Sequence, residues 1–403
     1  MAIISIFNGA HTKAEDVIAA LKSKTGFSVI DDTKIIEKVA LNSPLTKEQL
    51  QRAVFGKPSV FNRFTREKER VVALLKSVVA EQLISCDKCI FSGYLGQLIP
   101  KEVTHALRVL IIADSDFRQK NAAEKEQMTP DTVGKILLKS DECAFRWTQY
   151  LYGKDAWDAS LYDIVVPMEK TDIDQTVELI LENLEKEALK RTTTSQTAAE
   201  DFAVRAEVEK ALINAGHDVD VNVSQGNVVL TINRQVLLLS KLEDDLKSLV
   251  IGYPGVESVT TKVGDKYHRA DIYRQVDFEM PSKVLLVDDE SEFVQVLSER
   301  LQARELGSHI VYDGQEALDI INDEQPEVMV LDLKMPGVDG MEVLRQTKAK
   351  NPETEVIILT GQGSESDKKM CMELGAFAYL EKPVDIELMA KTMKEAYGKT
   401  RKK

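Results

Sequence analysis

The chain has 403 residues, 43% of them apolar and 29% charged, with a formal net charge of −14. That length exceeds one ordinary hydrophobic core and predicts about two to four domains, and the acidic balance argues against general affinity for nucleic acid. No apolar run approaches the roughly 18 residues that span a bilayer, and Met1–Phe7 is too short and uncharged to act as a signal peptide, so a cytoplasmic protein is expected.

In chain order, Ala2–Phe7 reads as a strand, Asn8–Ala10 as a turn and Glu15–Lys22 as a helix. A second strand, Phe27–Ile30, ends in Asp31-Asp32. A phosphate loop would sit in such a strand-turn-helix unit, and it needs glycines for close backbone approach, a lysine for the phosphates and a hydroxyl for the metal. Only Gly9 matches the first glycine of G-x-x-x-x-G-K-[ST]; Ala14, Glu15 and Asp16 fill the last three places. Glu15 would repel phosphate, which leaves Lys13 as the compensating cation. Further strands are expected at Cys89–Gly93 and Ala106–Ala113, and helices at Ser115–Gln127, Asp141–Tyr152 and Ile173–Leu184. Trp147, Tyr150 and Tyr152 are assigned to a core. Cys86 and Cys89 form a C-x-x-C without a second pair or a nearby histidine, so neither a zinc site nor a redox pair is expected.

The opening Ile3-Ile4-Ser5-Ile6, the run Asp31-Asp32-Thr-Lys-Ile-Ile36, and the stretch from Tyr152 to Val166 with the helix after it resemble the cytidylate-kinase-like family over about residues 1–188. The resemblance implies a P-loop-kinase-like α/β domain and makes Gly9, Lys13, Arg118 and Arg146 the candidate nucleotide-binding residues. Because the glycine loop departs from the family pattern, a binding or output module is preferred to a working kinase.

Lys190–Thr197 is polar and without apolar periodicity, and a linker is assigned to 189–200. A helix at Ala198–Ala215, the alternating run Val219–Val223, the turn Ser224–Asn227, a strand at Val228–Ile232, a helix at Val236–Leu249 and a strand at Val256–Val263 follow. This α-β-β-α-β order, with the stretch Tyr253–Val263, resembles a BON-like domain over residues 201–265. It implies association or spacing, and a homodimer stays open. Residues 266–281 form a second linker.

The domain at 282–400 is the most informative. Asp288 and Asp289 follow the apolar strand Lys283–Val287, Asp332 follows Val328–Leu331, Thr360 follows Glu355–Leu359, and Lys382 follows Ala376–Leu380. Helical patterns between these runs predict a doubly wound parallel sheet of five strands, whose carboxyl ends converge on one crevice. Three crowded carboxylates require a cation, and an all-oxygen donor set selects a hard one such as Mg²⁺. Asp332 is then the nucleophile of a phosphoryl transfer, with Lys382 and Thr360 serving the phosphoryl oxygens.

The strings Val-Leu-Leu-Val-Asp-Asp-Glu (284–290), Asp-Leu-Lys-Met-Pro-Gly-Val-Asp-Gly (332–340), Leu-Thr-Gly (359–361) and Tyr-Leu-Glu-Lys-Pro (379–383) resemble the receiver domain of two-component response regulators. The resemblance implies phosphorylation of Asp332 by a sensor histidine kinase or a phosphotransfer protein. It also implies Mg²⁺ on Asp289, Asp332 and the Lys334 backbone carbonyl, with Asp288 acting through water, and a switch made by Thr360 and Tyr379. With no basic helix-turn-helix in view, DNA is not an expected partner. The expected protein is a response regulator that switches its N-terminal modules. The alternatives are a receiver-regulated nucleoside monophosphate kinase of the cytidylate type and a scaffold with an inert kinase-like part.

Overall fold

A computed structural model describes residues 2–126, 129–236, 238–265, 267, 280–304, 306–361 and 363–400. Most of the second predicted linker, the end of the basic tail and Gln127 lie outside the described residues. The chain divides into two compact units. One comprises Met1–Pro58, Lys68–Asn214 and Asp218–Tyr273; the other comprises Ser59–Glu67, Ala215–His217 and Arg274–Lys403.

The first unit opens with β1 (Ala2–Asn8), α1 (Ala14–Thr25), β2 (Ser28–Asp31), α2 (Asp32–Leu41) and α3 (Lys47–Phe55). The short α4 (Asn62–Thr65) falls in the second unit. Then come α5 (Glu67–Ser85), β3 (Lys88–Ser92), β4 (Ala106–Ile112), α6 (Ser115–Glu126), α7 (Pro130–Tyr152), β5 (Ile164–Pro167) and α8 (Ile173–Leu184). The five strands form one parallel sheet in the order β2-β3-β1-β4-β5. Along β1, Ile3 packs in one buried apolar cluster while Ile4 and Ile6 pack in another. That is the mark of a strand covered by helices on both faces.

Two expectations about this part of the chain need correction. Helix α7 begins at Pro130, capped by the Thr129 side chain, and not at Asp141; its first turns carry several exposed polar residues that hide the apolar period. Trp147 is buried and its indole N–H donates to the Tyr94 carbonyl at 3.0 Å, but Tyr150 and Tyr152 are exposed.

The unit continues with α9 (Thr193–Asn214), β6 (Asp220–Ser224), β7 (Asn227–Ile232), α10 (Leu239–Val250) and β8 (Ser258–Val263). Residues 193–197, expected as linker, are therefore helical. Ser195 lies buried against His105, its hydroxyl 2.6 Å from the ring Nδ1, and this contact holds the first turn of α9. Helix α9 serves two cores: Ala199, Phe202 and Ala206 pack with the five-stranded sheet, and Val208 and Leu212 pack with β7 and α10. The predicted hairpin forms with Gln225 and Gly226 both at positive φ. Asp201 secures it by accepting both turn amides, at 2.8 and 3.0 Å.

The C-terminal part of the second unit alternates β9 (Val284–Val287), α11 (Ser291–Gln302), β10 (Ser308–Val311), α12 (Gly314–Asp323), β11 (Val328–Leu331), α13 (Gly340–Lys350), β12 (Glu355–Thr360), α14 (Glu365–Glu373), β13 (Ala378–Glu381) and α15 (Ile386–Thr400). The sheet is parallel in the order β10-β9-β11-β12-β13. Every residue of β9, β11 and β12 is buried. The strand order reverses direction at β9, so the crevice outside β9 and β11 is where such a sheet binds its ligand.

Candidate phosphoacceptor site

Asp288 and Asp289 follow β9 directly, and Asp332 follows β11. Asp332 is held in place by its own amide, which donates to the Val287 carbonyl at 2.9 Å. One carboxylate oxygen from each of Asp288, Asp289 and Asp332 lies within 4.8 Å of the others. Asp289 is exposed, while the other two are buried. Lys382, at the end of β13, extends its ammonium to Asp288 at 2.8 Å, to Glu290 at 2.9 Å and to Asp332 at 3.4 Å. The Lys382, Asp288 and Asp332 side chains are 10%, 6% and 5% exposed. The charges therefore meet where water screens them little.

Burial raises the Asp288 pKa, against the hydrogen bonds it receives from Lys382 and the Glu290 amide. Burial works against the Lys382 charge too, but its bonds to Asp288 and Glu290 prevail and its pKa is raised. The two directions pull the pair in opposite senses. The geometry favours a protonated Lys382, because one ammonium faces three carboxylates, while the rise at Asp288 comes mainly from its burial.

The loop after Asp332 is tightly wound. The Lys334 amide lies 3.4 Å from the Asp332 carboxylate. Gly340 begins α13 so close to the Asp332 carbonyl that a side chain there would strike it. Thr360 closes β12 fully buried, and its carbonyl accepts the Lys382 amide at 3.0 Å. Tyr379 packs inward against the apolar cluster of this half of the sheet, and its hydroxyl is buried without a hydrogen-bond partner among the described residues. The crevice thus gathers Asp288, Asp289, Asp332 and Lys382, with Thr360 at the adjoining strand end. Two contributors escaped sequence reasoning. Glu290 pairs with Lys382, and the Lys382 ammonium sits 4.5 Å from the Phe293 ring centroid. The third acid in Asp-Asp-Glu was the available signal for Glu290; nothing marked Phe293.

The residues proposed for a nucleotide in the first unit are arranged differently. Gly9 lies between β1 and α1, and its carbonyl accepts the Thr12 hydroxyl at 3.0 Å. Lys13 occupies the N-cap of α1 at φ 63, with its ammonium 5.5 Å from the Phe117 ring centroid. Arg118 is buried, binds Asp141 through both terminal nitrogens at 2.9 and 2.7 Å, and donates from Nε to the Ala10 carbonyl at 2.8 Å. Arg146 donates to the Phe55 carbonyl and to Glu142, both at 3.3 Å. The two guanidiniums are thus engaged within the protein.

The fold and the crevice define the class, a flavodoxin-like α/β domain with an acidic pocket at the carboxyl ends of its strands. Residues 284–394 match the family model of the response regulator receiver domain, and residues 3–170 match that of the cytidylate kinase-like family. The chain belongs to the response regulator receiver family through its C-terminal domain and carries a cytidylate kinase-like domain ahead of it. Among solved structures it is similar to the receiver domain of Francisella response regulator 1452, at 32% identity over 30% of this chain and 98% of that one, with a TM-score of 0.29. A receiver domain protein from Clostridium thermocellum is also 32% identical, over 29% of this chain and 95% of that one, at 0.29. A CheY-like receiver from Methanospirillum hungatei is 26% identical, over 30% and 95%, also at 0.29. Among the described residues no helix is long and apolar enough to cross a membrane.

Proposed function

We propose that this protein accepts a phosphoryl group on Asp332 from a sensor histidine kinase or a phosphotransfer protein, and that the acyl phosphate switches the output of the N-terminal modules. The observation that carries this reading is the Lys382 ammonium, 3.4 Å from Asp332 in a pocket of three converging carboxylates. An Asp332 oxygen forms the new O–P bond as the donor's N–P bond breaks, and the electron pair of that bond leaves with the imidazole. Lys382 and the Thr360 hydroxyl take up the phosphoryl oxygens. The donor set fits a hard divalent cation, since all three side chains offer oxygen. Asp289 and Asp332, with the Lys334 carbonyl, would hold Mg²⁺, and Asp288 would act through water; the metal supplies neutralisation of charge on the transferring group. Tyr379, packed against the apolar cluster beneath the sheet, supplies the aromatic half of the switch.

The reading is tested by incubating the protein with acetyl phosphate and Mg²⁺ and following the mass of the intact chain. The parent gains one acid-stable, hydroxylamine-labile phosphate, and Asp332→Asn gains none. Equal labelling of both proteins would sink the assignment.

The family match over residues 3–170 favours a second reading, in which the first unit binds or phosphorylates a nucleoside monophosphate under receiver control. The engagement of Arg118 with Asp141 weighs against it. Titration calorimetry of the whole protein with ATP, CTP and CMP decides between them. The α-β-β-α-β order of residues 193–263 supports a BON-like associating module, and the oligomeric state with and without phosphate tests whether it pairs two copies.

A further inference from the structure

The second unit is assembled from more than the C-terminal part of the chain, because Ser59–Glu67 belongs to it although the segment falls inside the stretch matched to the kinase-like family. Phe61 is 0% exposed and shares an apolar cluster with Leu285, Val287, Val311, Leu318 and Met329. Its ring meets His309 on β10 edge-on, with centroids 6.0 Å apart. Phe64 lies so near Gly307 that a methyl group at that position would strike the ring. Lys283, just before β9, holds Glu67 at 2.8 Å with both side chains largely buried, and the Ser59 hydroxyl donates to Glu324 at 3.1 Å. An aromatic inside a core, flanked by a shielded ion pair and a hydrogen bond, is a built socket and not a passing surface contact.

We propose that this socket beside β10 is the surface through which the receiver holds residues 59–67, and that the held segment transmits the state of Asp332 to α3 and α5, to which it is joined in sequence. The proposal rests on the receiver reading above. The cluster that encloses Phe61 also contains Leu331 and Leu333, the two neighbours of Asp332, and Tyr379 packs against it. Close-packed interiors pass between discrete arrangements instead of deforming smoothly. A rearrangement at Asp332 and Tyr379 therefore changes how well Phe61 is held. The segment's other ends are α3, which finishes at Phe55, and α5, which starts at Glu67, so the change pulls on both helices through short lengths of chain.

The test is hydrogen exchange by mass spectrometry on the full chain, with and without beryllofluoride and Mg²⁺. In the parent, exchange changes at residues 359–382 and also at 47–55 and 67–85, by about twofold or more in each. Phe61→Ala keeps the response at 359–382 and loses it at the two helices; Phe61→Leu, which refills most of the socket, restores part of it. Glu67→Gln leaves the socket filled but weakens the ion pair, so it carries the test if Phe61→Ala does not fold, and it should reduce the helix response. A parent that responds at 359–382 and not at the helices overturns the inference and leaves the receiver reading standing, as does a Phe61→Ala protein that transmits like the parent. A parent that responds nowhere removes the receiver reading, and the inference with it.

Discussion

Replacing Lys382 by methionine tests the electrostatic account of the pocket most directly. The change keeps an unbranched apolar stem and removes the one ammonium that reaches Asp288 at 2.8 Å and Asp332 at 3.4 Å. Glu290 is 64% exposed, and its loss of a partner costs little. Asp288 and Asp332 have almost no access to water, and depriving a buried charge of its partner costs about 3–5 kcal/mol. The second unit should lose that amount in metal-free buffer near neutral pH. A divalent cation offsets the loss, because an oxygen-lined site can transfer its neutralisation to the metal. At a hundredfold excess over Kd, binding contributes about 2.7 kcal/mol, so Mg²⁺ should recover more than half of the deficit. Exchange protection of the β9 and β11 amides in EDTA and in saturating Mg²⁺ reads both quantities. A loss below about 1 kcal/mol in EDTA, or one that Mg²⁺ leaves unchanged, would refute the reasoning.

Three further outcomes are expected in the first unit. Asp32 accepts the Tyr94 and Leu95 amides at 2.8 and 2.9 Å, yet burial pushes its pKa up to about 6 from the model-compound value of 3.8. Between about pH 4 and pH 6 its folded form therefore holds a proton that the unfolded chain has released. Its contribution is complete below about pH 4 and is lost as pH rises through 6, by about 3 kcal/mol in all; urea midpoints across this window should slope downward with pH more steeply in the parent than in Asp32→Asn. Arg118→Ala strands Asp141 and frees the Ala10 carbonyl, so it should cost about 3 kcal/mol in urea unfolding. If Arg118 served a nucleotide instead, the loss would appear in nucleotide titration with little change in stability. Trp147→Phe removes the bond to the Tyr94 carbonyl and leaves a small void, and it should lower stability by about 2 kcal/mol, read from the same urea midpoints.

The receiver and its pocket were legible in the sequence because each pocket residue closes a short, mostly apolar strand. In a parallel sheet that arrangement alone brings Asp288, Asp289, Asp332 and Lys382 together. The hairpin at 224–227 and helix α8 were likewise readable from local pattern. Tertiary structure decided what local pattern does not encode. Thr193–Thr197 reads as linker until the buried His105 side chain takes up Ser195, and Gln225 tolerates its positive φ because Asp201, a distant residue, binds the turn amides. Arg118 looks like a free cation until Asp141 arrives from the facing helix. Phe61 carries no sign in its own neighbourhood that it completes a core built mainly from residues after 284. Periodicity and strand-end placement are properties of neighbouring residues and survive in a one-dimensional reading. Which distant side chain fills a cavity or neutralises a charge depends on how the chain packs, and only the folded structure states it.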